Sequence, residues 1–268
     1  MCRLLGVVSA TPISVSQGAG EQVLEDFVAL TKIHGDGWGI ARVRLPGHDP
    51  EVAVSAGSAA DDPQFGTATR DRRSAASLVH LRWATTGIPV RPENSHPFLA
   101  DRIAMAHNGS IKPISELDAL LGPEIAATIR GSTDSERYFG LIRAHRPSSP
   151  NLPEAVRRAV SQLREAFPTA SLNALVLGED HMIAVHAHAR SRLPDEDIAE
   201  ITAAELPAEH LEDYFGMRWA RTAGDRLVIA STGFGDLDWR PLEPESVTAV
   251  SMNDLSMTTL PLMTPSKP

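Results

Sequence analysis

The sequence predicts an α+β fold in which two sheets stack face to face with helices outside. Three observations carry this. Short apolar runs near both ends of the chain read as strands, the middle reads as three amphipathic helices, and no Gly/Ser linker or internal repeat divides the chain. Helices with one apolar face must lie on something, and the flanking strands supply it. With 42% hydrophobic residues in 268, the chain can bury a sizeable core. Residues 1–256 are expected to form a single domain, with 257–268 as a frayed tail.

Taken in order, residues 2–8 form an apolar run short enough for a buried strand. A helix over about 22–33 presents Val23, Leu24, Phe27, Val28 and Leu30 as one stripe. His34-Gly35-Asp36-Gly37-Trp38-Gly39 then leads into a strand over 40–45; no Gly-Lys-Ser/Thr follows, so this is not a phosphate loop. Strands are expected at 51–56, 77–83 and 103–106. Ser115, with Asp118 three residues on, reads as the cap of a helix with Leu117, Leu120, Leu121, Ile125 and Ile129 on its apolar face. Further helices begin near Thr133 and Asp134, running to His145, and at Pro153. Strands return at 172–177 and 182–188, paired across Gly178-Glu179-Asp180, and again at 226–231 and 247–251.

Composition excludes several functions. The formal charge is −9, and eight acidic residues fall between Asp195 and Asp213, which argues against a nucleic-acid partner; that run reads as a solvated helix or surface insertion. No stretch approaches a transmembrane span and the first apolar run is too short for a signal peptide, so no membrane partner is expected. A single cysteine rules out an intramolecular disulfide and a cysteine-based zinc centre, and points to a cytoplasmic location. His186 and His188 share a strand face but lack a third ligand, so neither metal nor cofactor is expected.

That one cysteine is Cys2. Removal of Met1 would make it the first residue, and its own α-amine, with a pKa of about 7.7 to 8.0, could then serve as base for its thiol. An amide hydrolase of this kind needs oxyanion donors and groups to hold a charged substrate. His107-Asn108-Gly109 offers a side-chain amide and a backbone N–H, though alone it is equally an Asn-Gly turn. Arg82-Trp83-Ala84-Thr85-Thr86 sets a guanidinium beside hydroxyls, suited to a carboxylate or to a structural salt bridge. Asp134 stands near a helix start, where it either caps the helix or binds an ammonium. An Arg for a carboxylate and an Asp for an amine together describe the head of an α-amino acid.

Met1-Cys2, Gly35-Asp36-x-x-Gly39, Arg82-Trp83-Ala84-Thr85, Asn94-x-His96-Pro97, His107-Asn108-Gly109 and Thr133-Asp134-Ser135-Glu136 come in the order of the class II glutamine amidotransferases, and the chain resembles that family over nearly its whole length. It departs from the synthase pattern at Thr86, where a histidine is usual, and at His34, where an arginine is frequent. The resemblance implies an N-terminal-nucleophile fold, a four-layer αββα sandwich of two stacked antiparallel sheets. It implies Cys2 as nucleophile, Asn108 and Gly109 as the oxyanion hole, Arg82 and Thr85 on the α-carboxylate, Asp134 on the α-amine, and Trp83 shaping the pocket. The expected substrate is glutamine or a γ-glutamyl compound. In length the chain is similar to small stand-alone members, including the γ-glutamyl hydrolase of ergothioneine biosynthesis and predicted amidotransferases of unassigned substrate. A catalytically silent glutamine-binding domain and an ammonia-supplying subunit for a separate acceptor synthase are the alternatives.

Overall fold

Side-chain alternation along the first strand organises the architecture. In β1 (Cys2–Ile13), Leu4 and Val8 point to one face while Leu5 and Val7 point to the other, as the two-residue period of a strand requires. A computed structural model describes residues 2–83, 92–188, 190–204, 206 and 209–262. The later strands are β2 (Trp38–Val43), β3 (Glu51–Ser55), β4 (Ser74–Arg82), β5 (Phe98–Ala100), β6 (Ile103–Asn108), β7 (Asn173–Gly178), β8 (His181–His186), β9 (Met217–Thr222), β10 (Arg226–Ser231), β11 (Arg240–Pro241), β12 (Ser246–Ser251) and β13 (Met257–Pro261). One sheet runs β11-β9-β10-β1-β4-β2-β3 and the other β13-β12-β8-β7-β6-β5, with every neighbouring pair antiparallel.

Three apolar layers follow from the alternation. Leu4, Val8, Ala41 and Leu78 of the first sheet meet Ala104, Ala106, Leu175 and Ala184 of the second, forming the central layer. Helices α1 (Val15–Ala19) and α2 (Glu21–Ala29) bury Val15, Leu24 and Phe27 against Leu5, Ile40, Val79 and Val228 on the outer face of the first sheet. A short α3 (Pro63–Gly66) adds Phe65 to that layer. Beyond the second sheet, α4 (Ile114–Ala119), α5 (Pro123–Ala126), α6 (Asp134–His145) and α7 (Leu152–Ala166) cover Met105, Val176, Ile183 and Val247. The expected αββα sandwich is the one observed.

A smaller cluster closes one end. Helices α8 (Asp195–Ala203) and α9 (Glu209–Glu212) belong to the acidic segment, and Ile201, Tyr214 and Phe215 pack there with Ile33 and Trp83. Arg3, fully buried, holds that segment to β1: its Nη1 donates to Tyr214 O at 2.9 Å, and its guanidinium lies 3.9 Å from the Tyr214 ring centre.

Some sequence expectations need correction. Met257–Pro261, read as tail, is the edge strand β13 paired with β12, its register running from Val250↔Met257 to Ser246↔Pro261. Its side chains are mostly exposed, so hydrophobic patterning carried no signal. Residues 263–268 lie outside the described residues. The helix expected to be capped by Ser115 begins two residues earlier, at Ile114 with Pro113 at the cap, and Gly122-Pro123 splits it into two short helices because proline cannot donate within a helix. Strand β9, pairing with β10, was not anticipated.

Candidate active site

The site forms where the central layer stops being apolar. Inward-facing positions on β1 and β4 follow the two-residue period, so Leu4 gives way to Cys2, and Leu78 gives way to His80 and then Arg82. Cys2 stands directly opposite Arg82 in the antiparallel register. Across the sandwich, the inward series Ala104 and Ala106 on β6 ends in Asn108. Four polar side chains therefore converge at one end of the layer, all buried.

The Cys2 N–H donates to Asn108 Oδ1 at 3.1 Å. This fixes the orientation of the amide, and Asn108 Nδ2 is left buried with no hydrogen-bond partner among the described residues. An orphaned buried donor costs about 1–3 kcal/mol, and this one lies beside the candidate nucleophile, where a ligand oxygen would satisfy it. Next in the chain, Gly109 is held against the 171 backbone: a Cβ there would lie 2.1 Å from Ser171 O and 2.7 Å from His107 Nε2. His107 faces away from the central layer. Its Nε2–H donates to Ser171 O at 2.9 Å and its Nδ1 accepts from Ser135 Oγ at 2.9 Å, so the imidazole braces the turn.

The surroundings of the thiol compete. Burial raises the Cys2 pKa, but lowering influences prevail, chief among them the interaction with His96, with the Trp83 backbone N–H also contributing. His96 comes from the segment before β5, whose backbone presses on β2; a Cβ at Gly39 would lie 2.0 Å from His96 O. His96 Nδ1 and His80 Nε2 are hydrogen-bonded at 2.9 Å. Burial, with neighbouring positive charge, pushes His80 down to about 3 and His96 down to about 4, so both are neutral near pH 7. The sulfur and one nitrogen of each imidazole lie within 4.8 Å of one another. The donor types are those of a zinc site, although the imidazole–imidazole bond already engages one nitrogen of each ring.

The remaining sequence-nominated residues divide. Asp134, at the first position of α6, accepts the Ile111 N–H at 2.6 Å and the Ser135 N–H at 2.9 Å, while Thr133 caps the helix. Trp83 turns its ring away from the central layer, edge-on to His34 with ring centres 5.4 Å apart, and only its backbone faces the sulfur. Thr85 and Thr86 lie outside the described residues. His96 stands in the Asn94-x-His96-Pro97 motif, yet residue type and order alone assign no role to it or to His80. The signal was available in the strand period, which puts His80 on the same face as Arg82. His186 and His188 bond each other, Nε2 to Nε2 at 2.9 Å, and His186 Nδ1 also bonds Leu242 O. No helix among the described residues is long and apolar enough to cross a membrane.

Stacked antiparallel sheets between helix layers, with a thiol at the start of a central strand, define an N-terminal-nucleophile hydrolase fold. The chain belongs to the class II glutamine amidotransferases, whose family model matches residues 1–260. Among curated relatives, the glutamine–fructose-6-phosphate aminotransferase of Acidithiobacillus ferridurans is 32% identical over 179 residues, 65% of this chain and 27% of that protein. The chain thus spans about a quarter of the length of such relatives. Among solved structures, a glutamine aminotransferase class-II domain protein from Silicibacter pomeroyi superposes with a TM-score of 0.62 at 18% identity, covering 97% of this chain and 99% of that one. Glutamine phosphoribosylpyrophosphate amidotransferase from B. subtilis gives 0.64 at 17% identity, covering 97% of this chain and 49% of that one.

Proposed function

We propose that the chain cleaves the γ-amide of glutamine, or of a γ-glutamyl compound, through a thioester on Cys2. Loss of Met1 would free the α-amine, which takes the thiol proton as sulfur attacks the amide carbon. The tetrahedral oxyanion is received by Asn108 Nδ2 and the Gly109 N–H. Collapse expels ammonia or an amine, protonated by the α-ammonium, and water then releases glutamate. Arg82 and Thr85 hold the substrate carboxylate, Asp134 holds its ammonium, and Trp83 contributes its backbone.

The observation that carries this reading is the orphaned Asn108 Nδ2, oriented by the bond between its own Oδ1 and the Cys2 N–H. Such a preorganised donor is worth about 100- to 1000-fold in rate when it meets the oxyanion. The test is intact mass before and after incubation with 6-diazo-5-oxo-L-norleucine. Loss of Met1 plus one adduct on Cys2 is expected. Binding of glutamine without adduct or turnover would instead favour a silent binding domain.

A second reading passes the ammonia to a separate synthase chain. It is favoured by the curated relatives, which are aminotransferases of which this chain matches only 27%. Glutaminase activity of the isolated chain far below that measured with an acceptor enzyme present would support it.

A further inference from the structure

The buried imidazole pair beside the nucleophile has no part in the reaction proposed above, yet its geometry allows few arrangements. His96 Nδ1 and His80 Nε2 share one proton across 2.9 Å. The two remaining nitrogens, His96 Nε2 and His80 Nδ1, are buried and have no hydrogen-bond partner among the described residues. The Cys2 sulfur and one nitrogen of each imidazole lie within 4.8 Å of one another, and with His96 Nδ1 engaged by His80, Nε2 is the nitrogen of that ring left to serve the sulfur.

Two tautomer chains are compatible with neutral rings. In one, His96 Nδ1–H donates to His80 Nε2, His96 Nε2 offers the thiol an acceptor, and His80 is left with an orphaned Nδ1–H. In the other, His80 Nε2–H donates to His96 Nδ1, His96 Nε2–H is the donor offered to sulfur, and His80 is left with a bare Nδ1 lone pair. An orphaned buried N–H is the rarer and costlier end. The charge of Arg82, which disfavours protonation of His80, also favours a lone pair over an N–H on that ring. The second chain is the one that places a donor on the sulfur and so stabilises the thiolate.

We propose that His96 is a catalytic residue whose Nε2–H, unpartnered among the described residues, serves as donor to the Cys2 thiolate once it forms, with His80 as the positioning residue that holds it in that tautomer. His96 stays neutral throughout: the thiol proton goes to the α-amine, the S–H bond breaks, and the N–H of His96 remains intact as a donor to the thiolate. Arg3 and Tyr214 act electrostatically on Cys2 from the other face of β1, Arg82 acts on His80, and His107 acts on both imidazoles from the far face of β6. Burial raises Tyr214 and lowers His107, so both are neutral near pH 7, while Arg3 and Arg82 supply a fixed background of positive charge.

The inference deepens the amidohydrolase reading and rests on it for its consequence in turnover, but its readouts need no substrate. Because Cys2 is the only cysteine, thiolate absorbance at 240 nm and alkylation by iodoacetamide report it alone. The full chain is titrated from pH 5 to 10 as wild type, His96→Gln, His96→Leu and His80→Leu. The expected result is a thiolate midpoint at least one pH unit higher in His96→Leu, about tenfold slower alkylation at pH 7, a smaller shift in His80→Leu, and a near-wild-type midpoint in His96→Gln, whose amide restores a donor. An unchanged midpoint in folded His96→Leu overturns the proposal. If that variant does not fold, long-range 15N–1H correlation of the wild-type histidines decides: a protonated Nε2 on His96 supports it and a protonated Nδ1 overturns it. A shifted thiolate midpoint in a protein without turnover would sink the amidohydrolase reading and leave this one standing.

Discussion

The Cys2 N–H donates to Asn108 Oδ1 across 3.1 Å, joining residues 106 positions apart and leaving the other end of the amide, Nδ2, buried with no hydrogen-bond partner among the described residues. One bond both steadies the start of β1 and orients the amide to which the proposed function gives the oxyanion. Asn108→Ala is therefore expected to lower kcat on glutamine by about 100- to 1000-fold while the far-UV circular dichroism stays native. A loss below fivefold would remove Asn108 from the oxyanion hole.

Gly109 is confined by backbone, which cannot move aside as a flexible side chain can. Gly109→Ala places a methyl 2.1 Å from Ser171 O, and a stability loss of about 1–3 kcal/mol is expected together with loss of turnover. Gly66→Ala is the control, since a Cβ there meets nothing within 4 Å. Urea denaturation of the two variants should separate them clearly; equal midpoints would mean that the turn after Asn108 relaxes freely.

Asp134 serves two backbone N–H groups and, in the proposed function, a substrate ammonium. Asp134→Asn loses the charge and can keep only one oxygen acceptor. KM for glutamine should rise by about 10- to 100-fold, the worth of a charge-assisted hydrogen bond, with kcat much less affected. A fall in kcat at constant KM would instead show that Asp134 does not bind the ground-state ammonium and acts only in the transition state.

Stability should depend on pH through the buried imidazoles. His80 and His96 are depressed to about 3 and about 4 in the folded state, against an unperturbed value near about 6.5 when unfolded. Below pH 6.5 the unfolded chain binds protons that the folded chain refuses, so stability is full above that pH and falls as pH drops toward 4. The slope is about 1.4 kcal/mol per pH unit for each imidazole. Thermal midpoints measured from pH 7.5 to 4.5 should fall more steeply for wild type than for a His80→Gln, His96→Gln double variant that still folds. Parallel curves would contradict neutral burial of the pair.

Arg3 points to the opposite face from Cys2 and ties the segment carrying Tyr214 and Phe215 to the first strand. Arg3→Met keeps the length of the side chain and removes the guanidinium. Limited proteolysis is expected to cut within residues 190–216 faster in the variant, and unchanged cleavage would show that apolar packing alone retains the segment.

Much of the fold was readable because its elements are strongly periodic. The strands over Arg226–Ser231 and Ser246–Ser251 and the helix over Asp134–His145 are bounded by turn and cap residues and stand close to where patterning put them. The edge strand Met257–Pro261 was missed because exposure on both faces erases the alternation that marks a strand. In the candidate site, Cys2, Arg82, Asn108 and Gly109 are nominated by residue type and order and converge at one end of the central layer, while Asp134 is seen bonded to the Ile111 and Ser135 N–H groups. Trp83 was nominated too, but the alternation of β4 sends its ring to the other face, so only its backbone reaches the sulfur.

The sequence by itself determined that this chain is an α+β sandwich with one thiol, a nominated donor for an oxyanion, and an Arg/Asp pair suited to an amino-acid head. These depend on composition, periodicity and local order, which a linear string records. Only the tertiary structure decided that His80 and His96 meet each other and the sulfur, and that Asn108 is oriented by the Cys2 N–H. Those relationships join four separate segments, and no local pattern encodes them. They arise because two stacked sheets bring the inward-facing ends of β1, β4 and β6 to the same edge of a buried layer, where each polar group must find a partner or wait for one.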